Sequence, residues 1–425
     1  VIFLLINAPR GTKDLLPGEI ERWQYIEQVA RELSRSYGYQ EIRTPIFEHT
    51  ELFLRGIGDA TDIVQKEMYT FEDRGGRSIT LRPEGTAAVV RSYLEHHLDT
   101  QPQPVKLYYI GPMFRYDRPQ AGRFRQFHQV GIEAFGSNDP SLDAEIVSFT
   151  WDYFQKLGLT DIQVELNSVG CPKCRPAYGK ALQRFVEPYS NSLCDFCRDR
   201  LRRNPLRLLD CKAPGCQELL AGAPRLKDYM CDDCRIHFEK VQNYLQVAGV
   251  PIMVNEKLVR GLDYYTNTAF EVTCPGVGAQ SSVAGGGRYN NLVETVGGPS
   301  IPGIGVAIGL ERVLLALEKK GVTLPIPTPE IIFVATAGEG DVEAFRLMTE
   351  LRRRGFTAEK DFLGRSLRAQ MKSAGRMGAR YVIVLGQEEL REGKIALRDM
   401  ENGTQTAIKR EELFKVLVEL KSRRQ

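Results

Sequence analysis

Apolar side chains recur at three- and four-residue steps through Trp23, Ile26, Ala30, Leu33 and Tyr37, the spacing of one buried helix face. Pro17 precedes this stretch and Gly38 follows it, so a helix is expected over 19–37. A short strand should end near Thr44-Pro45, where proline fits an edge or interface position. Residues 78–82 read as a strand running into a helix that begins near Thr86. Alternation over Lys106–Arg115 and Arg125–Phe135, with Asp, Pro, Gln and Gly between them, predicts a long-looped antiparallel hairpin. A helix is expected over 140–157, and strands over 258–273 and 281–284. Gly285-Gly-Gly-Arg-Tyr289 reads as a turn opening a helix. A glycine-punctuated strand at Ile301–Ile308 leads into a helix at Leu310–Lys319.

The pattern changes after the proline-rich run Leu324–Pro329, which is stiff and extended. Strands at 331–335, 357–362 and 381–385 alternate with helices at 341–354 and 366–378. Asn402-Gly403 turns a hairpin between 394–400 and 404–409, and a helix closes the chain at 411–422. The division expected is a first domain over 1–325, a linker at 326–329 and an α/β domain over 330–425.

With 425 residues, 42% hydrophobic and 26% charged, the chain is an ordinary globular one, which excludes collagenous, coiled-coil and disordered classes. The apolar run Val1–Ile6 is far short of a bilayer span and lacks a basic lead, so neither a membrane segment nor a signal peptide is expected and the cytoplasm is the default compartment. The net charge of +3 is uneven. Residues 330–425 carry 19 Lys and Arg against 15 Asp and Glu, a mild surplus that suits a polyanionic partner.

The second hairpin strand carries the candidate chemistry. His128, Val130, Ile132 and Ala134 share one face; Phe127, Gln129, Gly131, Glu133 and Phe135 share the other. Gly131 would leave a notch between an amide and a carboxylate, into which a small polar ligand fits. Arg115 ends the partner strand, and Arg118, Arg123 and Arg125 populate the loop. Guanidinium forks beside a notch suit phosphate or carboxylate. Glu84 sits at a strand-to-helix turn, where a carboxylate can hold an ammonium group. The set argues for a site that takes an amino acid and a nucleotide. No Walker A sequence is present, and no Gly-x-Gly-x-x-Gly opens an N-terminal βαβ unit, so a nucleotide would lie on an antiparallel sheet. Gly303–Arg312 offers a second strand of small residues on which an adenine can rest, with Arg312 opening the next helix.

Eight of the nine cysteines fall between Cys171 and Cys234. Clustering of this kind favours metal over disulfides. Cys171-x2-Cys174 followed by Cys194-x2-Cys197 has tetrathiolate zinc spacing; Cys211-x4-Cys216 followed by Cys231-x2-Cys234 forms a looser second set. Pairing across the two sets and a group of reduced core thiols remain open alternatives. Such zinc would be structural, and the stretch 171–235 reads as an insertion. Cys274 stands apart as a small apolar residue.

From about Pro9 to its C-terminus the chain resembles the bacterial-type histidyl-tRNA synthetases, a class II aminoacyl-tRNA synthetase family. Arg10–Pro17 resembles their N-terminal signature, Gly38–Pro45 class II motif 1, the hairpin 106–135 motif 2, and residues 303–312 motif 3. Those motifs give the class. Leu258-Val-Arg-Gly-Leu-Asp-Tyr-Tyr-Thr266 and Gly285–Tyr289 resemble the two histidine-specific motifs and give the amino acid.

The resemblance implies an α+β catalytic domain, an antiparallel sheet flanked by helices, with a Cys-rich helical insertion and a C-terminal α/β mixed-sheet anticodon-binding domain. It implies activation of L-histidine by ATP with Mg2+, transfer to tRNA(His), and a homodimer built through motif 1. Glu84, Thr86 and Gln129 would hold the histidine α-amino group. Glu133, Tyr264 and Tyr265 would line the imidazole pocket, with Tyr289 closing it from below. Arg115 would grip the α-phosphate and the carboxylate. Arg260 would add a second positive charge where many class II relatives place a metal ion. Arg123 and Arg312 would meet the β- and γ-phosphates. Arg352, Arg353, Arg354 and Arg376 are candidates for RNA contact. The rival readings are a regulatory paralogue of histidine biosynthesis, which lacks the anticodon domain, and a non-catalytic histidine- or RNA-sensing module.

Overall fold

The computed structural model describes residues 6–58, 61–277, 281–338, 340–387 and 391–422, so most of the Val1–Ile6 run lies outside it. The chain divides into two compact units, Val1–Pro325 and Ile326–Gln425.

The first unit is built on an eight-stranded sheet. Its strands lie in the order Gln40–Glu41, Val105–Phe114, Gln126–Phe135, Gly303–Gly309, Ser282–Arg288, Thr266–Thr273, Gln163–Ser168 and Ile252–Val254. The inner pairs are antiparallel, and only the two edge pairs are parallel. Residues 105–114 and 126–135 pair over their full length, Val105 opposite Phe135 and Phe114 opposite Gln126. On one face Val130, Ile132 and Ala134 are fully buried. On the other the helix Thr86–Glu95 packs Val89, Val90 and Tyr93 against Leu107, Tyr109 and Phe135. The first helix runs over Ile20–Ser36 and buries Trp23, Ile26, Ala30 and Leu33, the stripe its periodicity describes.

Two expected elements differ. Of the stretch 258–273, only Thr266–Thr273 is a strand; Leu258–Tyr265 is a turn-rich loop. A strand would send Tyr264 and Tyr265 to opposite faces. The loop brings the two rings together, tilted by 48° with centroids 4.7 Å apart. Gly285–Arg288 is not a turn but the end of the strand Ser282–Arg288, and the helix waits until Leu292–Val296. Glycine serves close packing here, since a Cβ on Gly286 would collide with the Gly305 carbonyl of the neighbouring strand.

The stretch 171–235 is helical, with Arg175–Val186, Asp195–Arg203 and Pro214–Leu219 before the long helix Asp232–Val247. It is inserted between Gln163–Ser168 and Ile252–Val254, which pair with each other. No helix among the described residues is long and apolar enough to cross a membrane.

The second unit is a five-stranded mixed sheet in the order Thr357–Lys360, Ile331–Thr336, Ala379–Leu385, Lys394–Asp399, Gln405–Lys409. The first three strands are parallel and the last two form the hairpin. Ile332 and Val334 face a core with Leu347, Leu351 and Leu413; Phe333 and Ala335 face another with Ala374 and Val382. Burial on both faces explains why 331–335 reads as one continuous apolar run.

Candidate active site

A cavity of about 240 Å³ opens over the large sheet. The hairpin supplies Arg115, Arg123, Phe127 and Gln129, the turn after 78–81 supplies Glu84 and Thr86, and the loop 258–265 supplies Arg260, Tyr264 and Tyr265. Tyr289 and Arg312 also line it. Arg118 and Arg125 do not. Arg125 instead stacks on Tyr116 at 3.9 Å, and its backbone N–H donates to Gly11 at 2.8 Å, fastening the 10–17 segment to the hairpin.

Glu133 does not line the cavity itself; it lies behind the lining residues Thr86 and Tyr289 and is only 1% exposed. The Thr86 hydroxyl donates to one of its oxygens at 2.7 Å and the Tyr289 hydroxyl to the other. Burial pushes the Glu133 carboxyl up to about 8, with the Glu84 charge adding to the shift and the two hydroxyls opposing it. A Cβ on Gly305, directly across the ladder, would fall on the Glu133 carboxylate, so glycine there is what lets the side chain lie on the sheet.

The notch expected at Gly131 is filled. Tyr109 is its direct partner across the hairpin, and its ring lies where a Gly131 side chain would be. The sequence pattern did not single out this tyrosine. A bulky aromatic opposite a glycine in the same register was the available signal. Gln129, on the same face, has a buried side-chain oxygen that no donor among the described residues reaches. That acceptor suits an ammonium or N–H group brought by a ligand.

Glu84 has a structural task as well. Its two oxygens accept from the Thr86 and Ala87 amides, each at 2.8 Å, and cap the helix Thr86–Glu95. Burial raises its pKa, against the pull of those amides.

The far end of the cavity is cationic. Arg115 donates from Nε to the Pro83 carbonyl at 2.8 Å and stands over the Phe127 ring at 5.3 Å, which fixes the guanidinium plane. Arg123 pairs with Asp117, and Arg312 donates to the Ser282 carbonyl at 2.9 Å. Arg260 lies across Gly285, where a Cβ would overlap its guanidinium, and pairs with Glu271 at 3.0 Å. Of the strand 303–309, Gly303 is covered by Tyr289 and Gly305 by Glu133, so the floor left for a flat ring is Ala307–Gly309. Arg288 of the 285–289 motif does not reach the cavity. It is fully buried against Asp143, at 2.8 Å from Nε, and holds the Ser137 carbonyl.

The cysteines group differently from their order along the chain. Cys171, Cys174, Cys231 and Cys234 form one cluster; Cys194, Cys197, Cys211 and Cys216 form the other. The expected set of Cys171, Cys174, Cys194 and Cys197 is therefore split between two sites, and so is the set of Cys211, Cys216, Cys231 and Cys234. The reason is topological. The insertion leaves and rejoins the sheet on neighbouring strands, so its first and last cysteine pairs meet and the middle pairs meet each other. Cys274 is buried apart from both and reaches the Asp161 carbonyl.

The family model for histidyl-tRNA synthetase matches residues 11–173 and 203–313, and that for the anticodon-binding domain matches 331–420. A histidine–tRNA ligase of Pelotomaculum thermopropionicum is 57% identical, the alignment covering 98% of each chain. One from Desulforamulus reducens is 56% identical over 96% of this chain and 98% of its own. The crystal structure of apo histidyl-tRNA synthetase from S. aureus aligns with a TM-score of 0.83 at 43% identity, covering 97% of this chain and 99% of that one. An ATP phosphoribosyltransferase regulatory subunit/histidyl-tRNA synthetase from Bacillus halodurans shares the fold, at 21% identity and a TM-score of 0.66.

Proposed function

The chain belongs to the histidyl-tRNA synthetase family and ligates histidine to tRNA, and from that premise we propose how its residues divide the work. Histidine lies with its imidazole against Glu133, between Tyr264, Tyr265 and Tyr289. Its ammonium is held by the Gln129 carbonyl oxygen, Thr86 and Glu84. A buried polar group built to meet a ring N–H rejects amino acids that lack one by large factors. Supporting this most directly is the buried Glu133, which lies just behind the cavity wall and is held by the hydroxyls of two lining residues, Thr86 and Tyr289.

ATP lies on the Ala307–Gly309 floor with its phosphates among the arginines. A histidine carboxylate oxygen attacks the α-phosphorus in line, and pyrophosphate leaves. The carboxylate is already ionised at neutral pH, so no general base is needed. Arg115 and Arg260 stabilise the charge that grows on the α-phosphoryl oxygens, and Arg123 and Arg312 receive the leaving pyrophosphate. Histidyl-tRNA synthetases use ATP with Mg2+. Here the lining carboxylates Glu84, Asp117 and Glu311 are engaged with the Thr86 and Ala87 amides, with Arg123 and with His128. Bound with ATP, the ion would neutralise phosphate charge. The second step passes the histidyl group to the terminal ribose of tRNA(His).

ATP–pyrophosphate exchange measured with each of the twenty amino acids, without tRNA, tests this reading. Exchange is expected with histidine alone. Histidine binding without exchange would return the chain to the regulatory class.

The second unit takes the anticodon, read as unpaired bases. Arg353 and Arg376 are exposed and lead the candidates for RNA contact, whereas Arg352 is paired with Glu359 and Arg354 stacks on Phe414 at 3.9 Å. Removing residues 326–425 is expected to leave histidine-dependent exchange intact and to raise the KM for tRNA at least about tenfold. Equal loss of both activities would refute the division of labour. We place the chain in the cytoplasm and infer a homodimer formed beside Gly38–Pro45, where the exposed Ile46, Phe47 and Phe71 provide apolar surface.

A further inference from the structure

None of the eight clustered cysteines takes part in the reaction assigned above, yet each quartet brings its four sulfurs within 4.8 Å of one another. The separations Cys171–Cys174, Cys171–Cys231 and Cys174–Cys234 are 3.5, 3.9 and 3.7 Å, and Cys194–Cys211 is 3.8 Å. A tetrahedron with zinc–sulfur bonds of ~2.3 Å has edges of about 3.8 Å. Disulfides would draw the sulfurs into bonded pairs at about 2 Å, whereas these four separations lie between 3.5 and 3.9 Å and the cysteines are free. Each quartet also has N–H groups aimed at sulfur, from the Cys231 amide to Cys174 at 3.1 Å, the Cys194 amide to Cys216 at 3.4 Å, and the Asn267 amide group to Cys234 at 3.6 Å. Donors of this kind disperse thiolate charge around a bound metal. Both quartets are mostly buried and offer four thiolates with no open position.

The lobe also touches the active-site loop from both quartets. Arg175, next after Cys174, donates to the Val169 carbonyl at 3.0 Å and to the Tyr265 carbonyl. Asn204 and Arg207 lie in the segment between Cys197 and Cys211. Asn204 donates to Asp263 at 2.9 Å, and Arg207 donates to the Gly261 carbonyl at 3.0 Å and pairs with Asp263 at 3.5 Å. The flanks of Tyr264 and the base of Arg260 are thus held by side chains whose own backbones are pinned by the cysteines. Residues 174–202, which carry Cys174, Cys194 and Cys197, fall outside the segments matched by the family model, whereas the rest of the lobe falls inside them.

We propose that the insertion is a two-zinc module, one Zn2+ in each cysteine quartet, that braces the loop Leu258–Tyr265 and thereby sets histidine affinity. The bracing rests on the assignment of Tyr264 and Tyr265 to the histidine pocket; the metal sites do not. Arg207 is a positioning residue.

Metal analysis of the full chain, purified in reducing buffer, is expected to give two zinc per chain. The double variant Cys194→Ser/Cys211→Ser should keep one. Arg207→Ala should keep both, yet raise the KM for histidine about tenfold with the KM for ATP unchanged. A chain that holds no zinc and takes up none when titrated with zinc salt overturns the metal sites, as does stoichiometric iron in their place. Two zincs with an unchanged histidine KM in Arg207→Ala overturns the bracing. Zinc content is read without substrates, so failure of the aminoacylation reading leaves that half of the test intact.

Discussion

Replacing Arg260 by alanine is expected to slow histidyl-adenylate formation by about 10²–10³-fold while leaving the histidine dissociation constant nearly unchanged. The guanidinium lies on the strand at Gly285 and is tethered by Glu271, so it is in place before substrate arrives. A charge fixed in advance acts on the phosphoryl oxygens where negative charge grows, and that charge exists only as pyrophosphate begins to leave. Its worth should therefore appear in the rate of the chemical step. Arg115 is a poorer probe, since it also holds the Pro83 carbonyl at the turn that carries Glu84. The measurements are single-turnover adenylate formation and histidine binding by calorimetry. A lysine at the same position should recover part of the rate, having the charge without the fork. Loss of histidine affinity at an unchanged rate would remove Arg260 from the chemistry.

Arg260 and Glu133 are both legible in the sequence, for different reasons. Glu133 follows from alternation: a strand that buries Val130, Ile132 and Ala134 must present Gln129 and Glu133 together on the opposite face. Arg260 emerges only through the likeness of 258–266 to a known motif, because local pattern reads that stretch as strand. Its true shape is set by long-range contacts, such as Asp263 with Asn204 and Arg207, and tertiary contacts override local preference. The Gly131 notch fails for a related reason. One strand does not disclose what its neighbour projects, and Tyr109 comes from the partner strand. The cysteine pairs are visible as pairs, but their grouping depends on which strands flank the insertion. Spacing along the chain does not encode that. Arg288 shows the converse. It belongs to a motif that implies function, yet its guanidinium is spent on Asp143 and the Ser137 and Asp139 carbonyls, holding the fold beneath the site.

Replacing Glu133 by glutamine should raise the KM for histidine by about 10²-fold, since a hydrogen bond to a charged group in a buried site is lost. It should also erase a pH dependence. Burial holds the Glu133 carboxyl at about 8, so near neutrality the free protein carries a proton there and the substrate imidazole, with a pKa near 6.5, carries none. In the complex that single proton is shared between the two groups. Above pH 8 the imidazole still brings its own ring N–H, which the ionised carboxylate accepts, but the additional shared proton must then be drawn from solution to form the same pair, so the KM should rise with pH. The glutamine variant cannot ionise, so this limb should vanish, leaving only the part due to the α-amino group of histidine. Stability of the unliganded protein provides a second readout with a fixed sign. The folded pKa lies above the ordinary value of 4.5, so the native state binds more protons than the unfolded chain between the two values. The contribution of Glu133 to stability is therefore fully present below pH 4.5 and is lost as pH rises through about 8. Relative to wild type, Glu133→Gln should gain melting temperature over that interval and no more beyond it. A variant that keeps the alkaline limb of the histidine KM would show that the imidazole is met elsewhere, and a relative stability flat with pH would show that the Glu133 carboxyl is not held above its ordinary range.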